Sequence, residues 1–468
     1  MVEFSRALAV SETAIPGLLL VQLPVHGDSR GWFKENWQAS KMTAAGLPDF
    51  GPVQNNVSFN DAIGTTRGIH AEPWDKYVSV ATGRIFGAWV DLRAGETFGA
   101  VVTAEIDPSI AVFVPRGVGN AYQTLAENTA YTYLVNAHWS ADAGDKYTFL
   151  NLGDETVDIH WPIALENAEL SDKDRAHPRL ADVTPMAPKK TLVLGANGQL
   201  GRALGHALRG AVALTRAEFD VTDAAAYDVV DWSDFDVVIN AVAFTNVDAA
   251  ETADGRRDAW SVNVSATALL AAACVAHRIT LVHVSSDYVF DGVAELHDET
   301  EPFSPLGVYG QTKAAADAIV ATVPRHYIVR TSWVIGDGPN FVRTMASLAE
   351  RGIDPAVVDD QRGRLSFADD VAAGIIHLVQ SSSPFGTYNL TNDGPTQSWA
   401  QIARDVFERV GADPHRVSGV STGEYFAEKQ AAARPLNSTL DLARITATGF
   451  APRTSADALA EYLQKPAN

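Results

Sequence analysis

The chain has 468 residues and a net charge of −21, with 46% of residues hydrophobic and 20% charged. One hydrophobic core does not organise that length, so two or three domains are expected, and the composition is that of a folded chain rather than a disordered one. No long run of Lys or Arg supplies the basic footprint that nucleic acid or an anionic membrane requires, so neither is an expected partner.

The first 180 residues read as short strands broken by Gly, Pro, Asp and Asn. They are LLLVQLPV (18–25), KYVSVATG (76–83), RIFGAWVDL (84–92), AVVTAEI (100–106), AVFVPRG (111–117) and AYTYLVNAHWS (130–140). Strands at this spacing predict an all-β barrel or jelly roll. ADVTPMAPKK (181–190) has two prolines and no period, and residues 181–189 are taken as a linker. From residue 190 strand and helix alternate: TLVL, then a Gly-rich turn and a helix, then DVVINAVA (236–243) and TLVHVSSDYVF (280–290). That alternation predicts a doubly wound parallel sheet over residues 190–468. Cys274, the single cysteine, has no partner for a disulfide and lies in the apolar run ALLAAACVAH, as a buried helical thiol would. No signal peptide and no window of roughly 20 apolar residues is visible, so a cytoplasmic protein is expected.

Gly195, Gly198 and Gly201 follow the strand TLVL and precede a helix. Glycines there allow a tight turn and close approach of a pyrophosphate, which the helix N-terminus then attracts. Arg216 follows the second strand, where a carboxylate would select NADH, so NADPH is favoured. Tyr309 and Lys313 lie one helical turn apart on one face. A phenol protonates a ketone oxygen as hydride arrives, and a neighbouring ammonium lowers its pKa. Ser285, Ser286 and Asp287 end a predicted parallel strand, where ligands of such sheets bind, and Asn263 is placed to support a proton relay. In the first half the residues offer His70, Lys76, Tyr133 and Ser171-Asp172-Lys173-Asp174. Spacing alone leaves His70 structural or catalytic. Only His70 and Glu72 lie close together, with His138 and His160 isolated, so no metal site is expected.

The second half resembles the extended short-chain dehydrogenases, and within them the dTDP-4-dehydrorhamnose reductases. The resembling strings are GANGQLG (195–201), NAVAFTNVDAAE (240–251), VSSDYVFDG (284–292), VYGQTK (308–313), VRTSWV (329–334) and ARPLNSTLD (433–441). The resemblance implies a small C-terminal substrate-binding part and a catalytic set of Ser286, Tyr309 and Lys313, with Asp287 and Trp333 against a sugar. It implies Gly198, Gln199 and Leu200 at the pyrophosphate, Asp220 and Val221 at the adenine, and Ala243, Phe244 and Thr245 along the cofactor. NADPH, or NADH, is the implied cofactor, and a Mg²⁺ ion is left open. Asp360-Gln361-Arg362-Gly363 continues with Arg364-Leu365-Ser366, where the family has x-P-T.

The first half resembles the dTDP-4-dehydrorhamnose 3,5-epimerases, which are metal-independent cupins. The similarity rests on Asp28-Ser-Arg-Gly31, Arg67-Gly-Ile-His70, Lys76-Tyr77-Val78, Pro115-Arg-Gly117, Tyr133, Trp161-Pro162 and Ser171-Asp-Lys-Asp174. It implies His70 as base oriented by Asp174, Tyr133 as acid, Lys76 against an enolate oxygen, and Arg30, Glu35 and Arg67 holding the nucleotide sugar. It also implies a homodimer through this half. Three departures stand out: a short segment AEPWD between His70 and Lys76, Asn120 in place of a second His, and Gly87 in place of an Asp. Together the resemblances imply a bifunctional enzyme that epimerises and then reduces a dTDP-4-dehydro-deoxysugar. The alternatives are a reductase with an inactive cupin, and an NADP-binding regulatory subunit, which the intact Tyr309 and Lys313 oppose.

Overall fold

A computed structural model describes residues 6–139, 141–427 and 431–465; the outer ends of the expected domains 1–180 and 190–468 lie outside them. The chain divides into two compact units, Met1–Pro188 and Lys189–Asn468.

The first unit is a sandwich of two antiparallel sheets. Its strands are β1 (Ala9–Glu12), β2 (Leu19–Gln22), β3 (Val25–Asp28), β4 (Gly31–Lys34), β5 (Gln54–Asn60), β6 (Thr66–Ala71) and β7 (Lys76–Thr82). They continue with β8 (Ile85–Asp91), β9 (Val101–Ile106), β10 (Ile110–Val114), β11 (Val118–Thr124), β12 (Thr129–Val135) and β13 (Thr148–Phe149). One sheet runs β1-β2-β10-β7-β12-β5, the other β13-β6-β11-β8-β9, and β3 with β4 forms a separate hairpin. Alternation on each strand sends one row of side chains inward. Val78, Val80, Val112 and Val114 thus meet Ile85, Trp89, Val118 and Tyr122 between the sheets. The last predicted strand stops at Val135, because the Asn136 side chain turns to the backbone and carboxylate of Asp75.

Two of the departures have one structural cause. A Cβ on Gly87 would collide with the indole of Trp89, which is fully buried. That indole donates to Asn120 Oδ1 at 2.9 Å, and Asn120 Nδ2 donates to the Tyr131 hydroxyl at 3.0 Å. Trp89 and Asn120 therefore fill and satisfy the space together, and Gly87 makes room for them. The expected linker is also largely committed. Val183 and Met186 pack beside Leu92 and Leu180, and Met186 exchanges backbone hydrogen bonds with Leu92 and Ala94. The flanking prolines remove their own donors but leave those of Met186 free to pair.

The second unit is built on a parallel sheet of β14 (Lys190–Leu194), β15 (Val212–Leu214), β16 (Phe235–Asn240), β17 (Thr280–Ser286), β18 (His326–Thr331) and the strand Gly386–Asn389, in the order β15-β14-β16-β17-β18 and then Gly386–Asn389. Helices cover both faces, as parallel strands joined by crossovers require. Leu192, Val238, Leu281 and Ile328 pack under Leu270 and Cys274, while Val193, Ile239 and Val329 pack under Leu204, Val371 and Ile375. A C-terminal cluster joins the helices Phe341–Glu350, Trp399–Arg409 and Ser455–Gln464.

One helical run, Ala253–Ala276, is long and apolar enough by length and composition to cross a membrane, against the expectation that no stretch would be. Its window has a mean hydropathy of 1.6. Alanines account for this: the run is interrupted by a π turn at Ser261–Ser265, buries the polar Asn263 and Thr267, and sets Cys274 in the core. Burial pushes the Cys274 thiol up to about 12. Replacing Gly87 by Asp should cost about 3 kcal/mol through overpacking against Trp89. Urea unfolding of the full chain reads this as a lower midpoint of the first unit, and an unchanged midpoint would contradict the shared-space account.

Candidate active sites

In the first unit β6 carries His70 on the five-stranded sheet, whereas β7 and β12 carry Lys76 and Tyr133 on the six-stranded sheet. The His70 Nε2 lies 2.8 Å from Asp174 Oδ1. Asp174 sits in a one-turn helix, Asp172–Arg175, capped by the Ser171 hydroxyl, which accepts from Asp174 N at 3.1 Å. The S-D-K-D motif is thus a capped turn that fixes a carboxylate. Burial raises that carboxyl, but the hydrogen bond and charge of His70 outweigh burial and hold it below the usual range. His177, one turn after Asp174, stacks on Phe149 and brings its Nε2 to 3.9 Å from Asp174 Oδ1. His70, Asp174 and His177 form the one grouping of metal-ligand spacing among the described residues. The sequence reading missed His177, whose only signal is its i+3 position.

Lys76 Nζ is 2.6 Å from Glu72 Oε1 and 5.3 Å from the centre of the Tyr133 ring. Glu72 Oε2 also accepts from the Trp74 indole at 2.5 Å. The short AEPWD segment therefore does more than connect: it supplies the carboxylate paired with Lys76. Burial, and then Glu72, push the Tyr133 phenol above its ordinary value, so it keeps its proton. A cavity of about 300 Å³ is lined by Gln54, Asn56, Glu72, Trp74, Tyr133 and Tyr147, among others. Arg67 reaches Asn60 Oδ1 at 3.4 Å. Arg30 and Glu35 are not brought to this cavity. Arg30 is exposed at the β3–β4 turn and pairs with Asp28, and Glu35 pairs with Lys41.

In the second unit the glycine turn follows β14. Gly195 has φ +85°, and a Cβ on Gly201 would collide with the Gly195 carbonyl. The helix Gln199–Ala207 starts from Gly198, leaving its first N–H groups without a side-chain cap. A tight turn in which Gly195 and Gly201 leave no place for a side chain, ending at an uncapped helix N-terminus, fits a pyrophosphate. Leu200 is buried, so its part there is its backbone; the Gln199 side chain donates to Pro339 O at 3.4 Å. Arg216 Nε is held 3.1 Å from Asp220 Oδ2, and Asp220 also accepts from Thr222, which keeps its carboxyl low. Val221 belongs to the core beside Phe219.

Ala243, Phe244 and Thr245 follow β16. Phe244 N donates to Asn263 Oδ1 at 2.8 Å, and Asn263 Nδ2 donates to Phe244 O at 3.2 Å and Thr312 Oγ1 at 2.9 Å. Asn263 thus braces a loop against a helix. That helix, α1 (Val308–Val320), carries Tyr309 and Lys313, and its first N–H, at Val308, donates to Glu251 Oε1 at 2.8 Å. At the end of β17 the Ser286 hydroxyl donates to Asp287 Oδ1 at 2.9 Å and accepts from Tyr288 N, which closes the turn where a longer strand was predicted. Burial pushes Asp287 up to about 6 against the hydroxyls of Ser438 and Ser286.

Lys313 does not bring the Tyr309 phenol down. Burial takes the phenol up to about 12, with Asp287 and Asp317 adding to it and only a Ser286 hydrogen bond opposing. Lys313 itself is buried, donates to Val284 O at 2.7 Å, and is brought down to about 8 by burial. Trp333 has φ +45° and stacks on Trp399 at 3.8 Å, with Gly363 leaving room for its other face. Arg364 binds the carbonyls of Gly394 and Leu440, while Leu365 and Ser366 are buried, so the departure from x-P-T is a packed one. Asp248 forms a two-pronged pair with Arg434 at 2.8 Å, joining NAVAFTNVDAAE to ARPLNSTLD.

Residues 189–467 match the family described as "RmlD substrate binding domain", and residues 12–182 match "dTDP-4-dehydrorhamnose 3,5-epimerase". A protein of Streptococcus pyogenes described as "Protein RmlC homolog" is 52% identical over 192 residues, covering 40% of this chain and 96% of its own length. The dTDP-4-dehydrorhamnose reductase of Aggregatibacter actinomycetemcomitans is 36% identical over 275 residues, covering 55% of this chain and 92% of its own. The solved dTDP-4-dehydrorhamnose reductase of Bacillus anthracis, in complex with NADP, is 30% identical with a TM-score of 0.55, and covers 59% of this chain and all of that one. Replacing Glu251 by Ala leaves the Val308 N–H without its acceptor and should cost about 1–3 kcal/mol. Thermal unfolding with and without NADPH would show it in the second unit.

Proposed function

The chain belongs to the RmlD substrate-binding family through residues 189–467 and to the dTDP-4-dehydrorhamnose 3,5-epimerase family through residues 12–182, and on that premise we propose one polypeptide that performs two consecutive steps on a dTDP-sugar. It epimerises dTDP-4-dehydro-6-deoxy-D-glucose at C3 and C5 and then reduces the C4 ketone with NADPH, yielding dTDP-L-rhamnose. The observation that carries this reading is that each unit holds its own acid–base set: His70–Asp174 with Tyr133 and Lys76 in one, Ser286, Tyr309 and Lys313 in the other.

Hydrogens next to the C4 ketone become acidic as an enolate develops. Inverting a centre takes a base on one face and an acid on the other. His70 and Tyr133 stand on opposite sheets of the sandwich, which suits those two roles. Asp174 engages His70 Nε2 and leaves the other ring nitrogen to take the proton. Tyr133, held high by burial, has a proton to return. Lys76 stabilises the enolate oxygen, with Glu72 fixing its ammonium. Arg67 holds the nucleotide, whereas Arg30 and Glu35, paired with Asp28 and Lys41 away from the cavity, take no part within one chain. The exposed apolar residues Val57 and Phe59 on the edge strand β5, with Trp32 and Phe33 on the hairpin that bears Arg30, support a homodimer through this unit.

NADPH, when bound, supplies a hydride to C4. The glycine turn of Gly195, Gly198 and Gly201, with Gln199 and Leu200, receives its pyrophosphate; Asp220 and Val221 flank the adenosine, and Ala243, Phe244 and Thr245 line the rest. The Arg216 charge favours a 2′-phosphate, so NADPH is preferred over NADH; the Bacillus anthracis relative solved with NADP accords with this. No step in this reading uses Mg²⁺. Tyr309 is a phenol at neutral pH and gives its proton to O4, Ser286 holds that oxygen, and Lys313 restores the phenol. Asp287 and Trp333 bound the sugar. The cytoplasm, where NADPH and nucleotide sugars are made, is the location that suits both steps.

Tyr309→Phe should lower reduction by about 10³-fold while leaving NADPH binding unchanged; NADPH oxidation at 340 nm and a fluorescence titration measure the two, and retained turnover would remove Tyr309 from the mechanism. The purified chain in D₂O with the 4-keto substrate and NADPH should give a rhamnosyl product deuterated at C3 and C5 by NMR. Oxidation that begins only after a separate epimerase is added would leave the first unit a binding module. Light scattering should report a dimer, and a monomer would refute that assembly.

A further inference from the structure

Lys313 is buried in the reductase unit, and it faces a histidine to which the proposed reaction gives no role. His283 lies on β17 and is 1% exposed. Its Nε2 is 3.3 Å from Lys313 Nζ, and its Nδ1 is 3.2 Å from Asn240 Nδ2 on β16. The orientation of the Asn240 amide is fixed independently, because its Oδ1 accepts from Val242 N at 3.1 Å. Asn240 therefore presents an N–H to His283 Nδ1, which has to be the acceptor. A neutral imidazole with a bare Nδ1 carries its single proton on Nε2, and that proton points at Nζ. An ammonium offers three donors and no acceptor. Only the neutral amine satisfies this contact: its lone pair accepts Nε2–H while one of its own N–H groups donates to Val284 O.

From this donor–acceptor pattern we infer that His283 is a positioning residue for Lys313, which donates Nε2–H to Nζ and so stabilises the lysine as the neutral amine that remains once it has given up a proton. The inference rests on the reductase reading and deepens it. As C4 takes the hydride pair, the Tyr309 O–H bond breaks and its proton goes to O4. The phenolate takes a proton from the Lys313 ammonium. The resulting amine is the form His283 is set to receive, and a proton from water recharges it. Asn263, the other group suited to such a relay, is committed to Phe244 and Thr312.

The charged and titratable groups around the pair are few. Tyr309 and Asp317 lie on α1, and Asp317 favours the ammonium. Asp287 follows β17, and Arg330 on β18 pairs with Asp317 at 3.0 Å. Asn240, from β16, is neutral. Burial, followed by the charge of Lys313, keeps His283 well below its ordinary value, so it stays an uncharged imidazole.

The test is the pH profile of single-turnover reduction by the full chain at saturating NADPH. Reduction should fall at alkaline pH as Lys313 loses its proton. His283→Phe removes the donor and should move that limb up by about one pH unit; His283→Gln, whose amide can still donate, should restore it. A limb that stays in place in His283→Phe, with NADPH binding intact, would overturn the inference. Should that variant fail to fold, ¹⁵N NMR of the wild-type imidazoles decides: a buried ring protonated at Nε2 is expected, and one protonated at Nδ1 overturns it. A wild-type chain that oxidised no NADPH with the 4-keto substrate at any pH would sink the reductase reading instead, which separates the two failures.

Discussion

By accepting the Val308 N–H at 2.8 Å, the carboxylate of Glu251 ties the first turn of the catalytic helix to the loop that leaves β16. Asn263 repeats that connection one turn further along, through Thr312. Tyr309 and Lys313 inherit their places from these two contacts, since a helix pinned at its start has little freedom to rotate or slide. Asp248, four residues from the loop's centre, extends the same bracing to the C-terminal segment through Arg434. The reductase half is therefore organised around one loop. That loop lies along the proposed path of the cofactor and also orients Tyr309, the proposed proton donor.

The epimerase half solves a different problem. Its chemistry asks for groups facing each other across a substrate, and a sandwich offers two walls of side chains. β6 and β7 are consecutive in the chain yet lie in different sheets, so the crossing between them sets the distance from His70 to Lys76 in sequence. Asp75 accepts from Arg116 N and is bound by Asn136, and Glu72 O accepts from Gly117 N. A short crossing held at this many points is stiff, and it carries its own carboxylate to the lysine.

Much of this was legible in residue order. Glycines between a strand and a helix, and a Tyr and Lys one turn apart, announce themselves because backbone geometry imposes their spacing. The β-to-α change of grammar at residue 190 was legible for the same reason. What stayed hidden depends on contacts between distant segments. That Lys313 reaches Val284 and His283 follows from burial, which no local pattern reports. His177 joins His70 only through a fold that brings residue 177 to β6 and β13. Gly87 reads as a lost carboxylate until the Trp89 ring is seen above it. The run 253–276 passes for a membrane span because alanine counts as apolar wherever it lies; the buried, hydrogen-bonded Asn263 within it is what shows its true setting.

Cys274 sits in the core with its thiol held up to about 12, and no other cysteine exists in the chain. The folded protein should therefore leave maleimide dyes unreacted. One cysteine engineered on the surface of each half would take a fluorophore cleanly, with no native thiol to remove first, and energy transfer between the two labels would report the separation of the two catalytic halves during turnover.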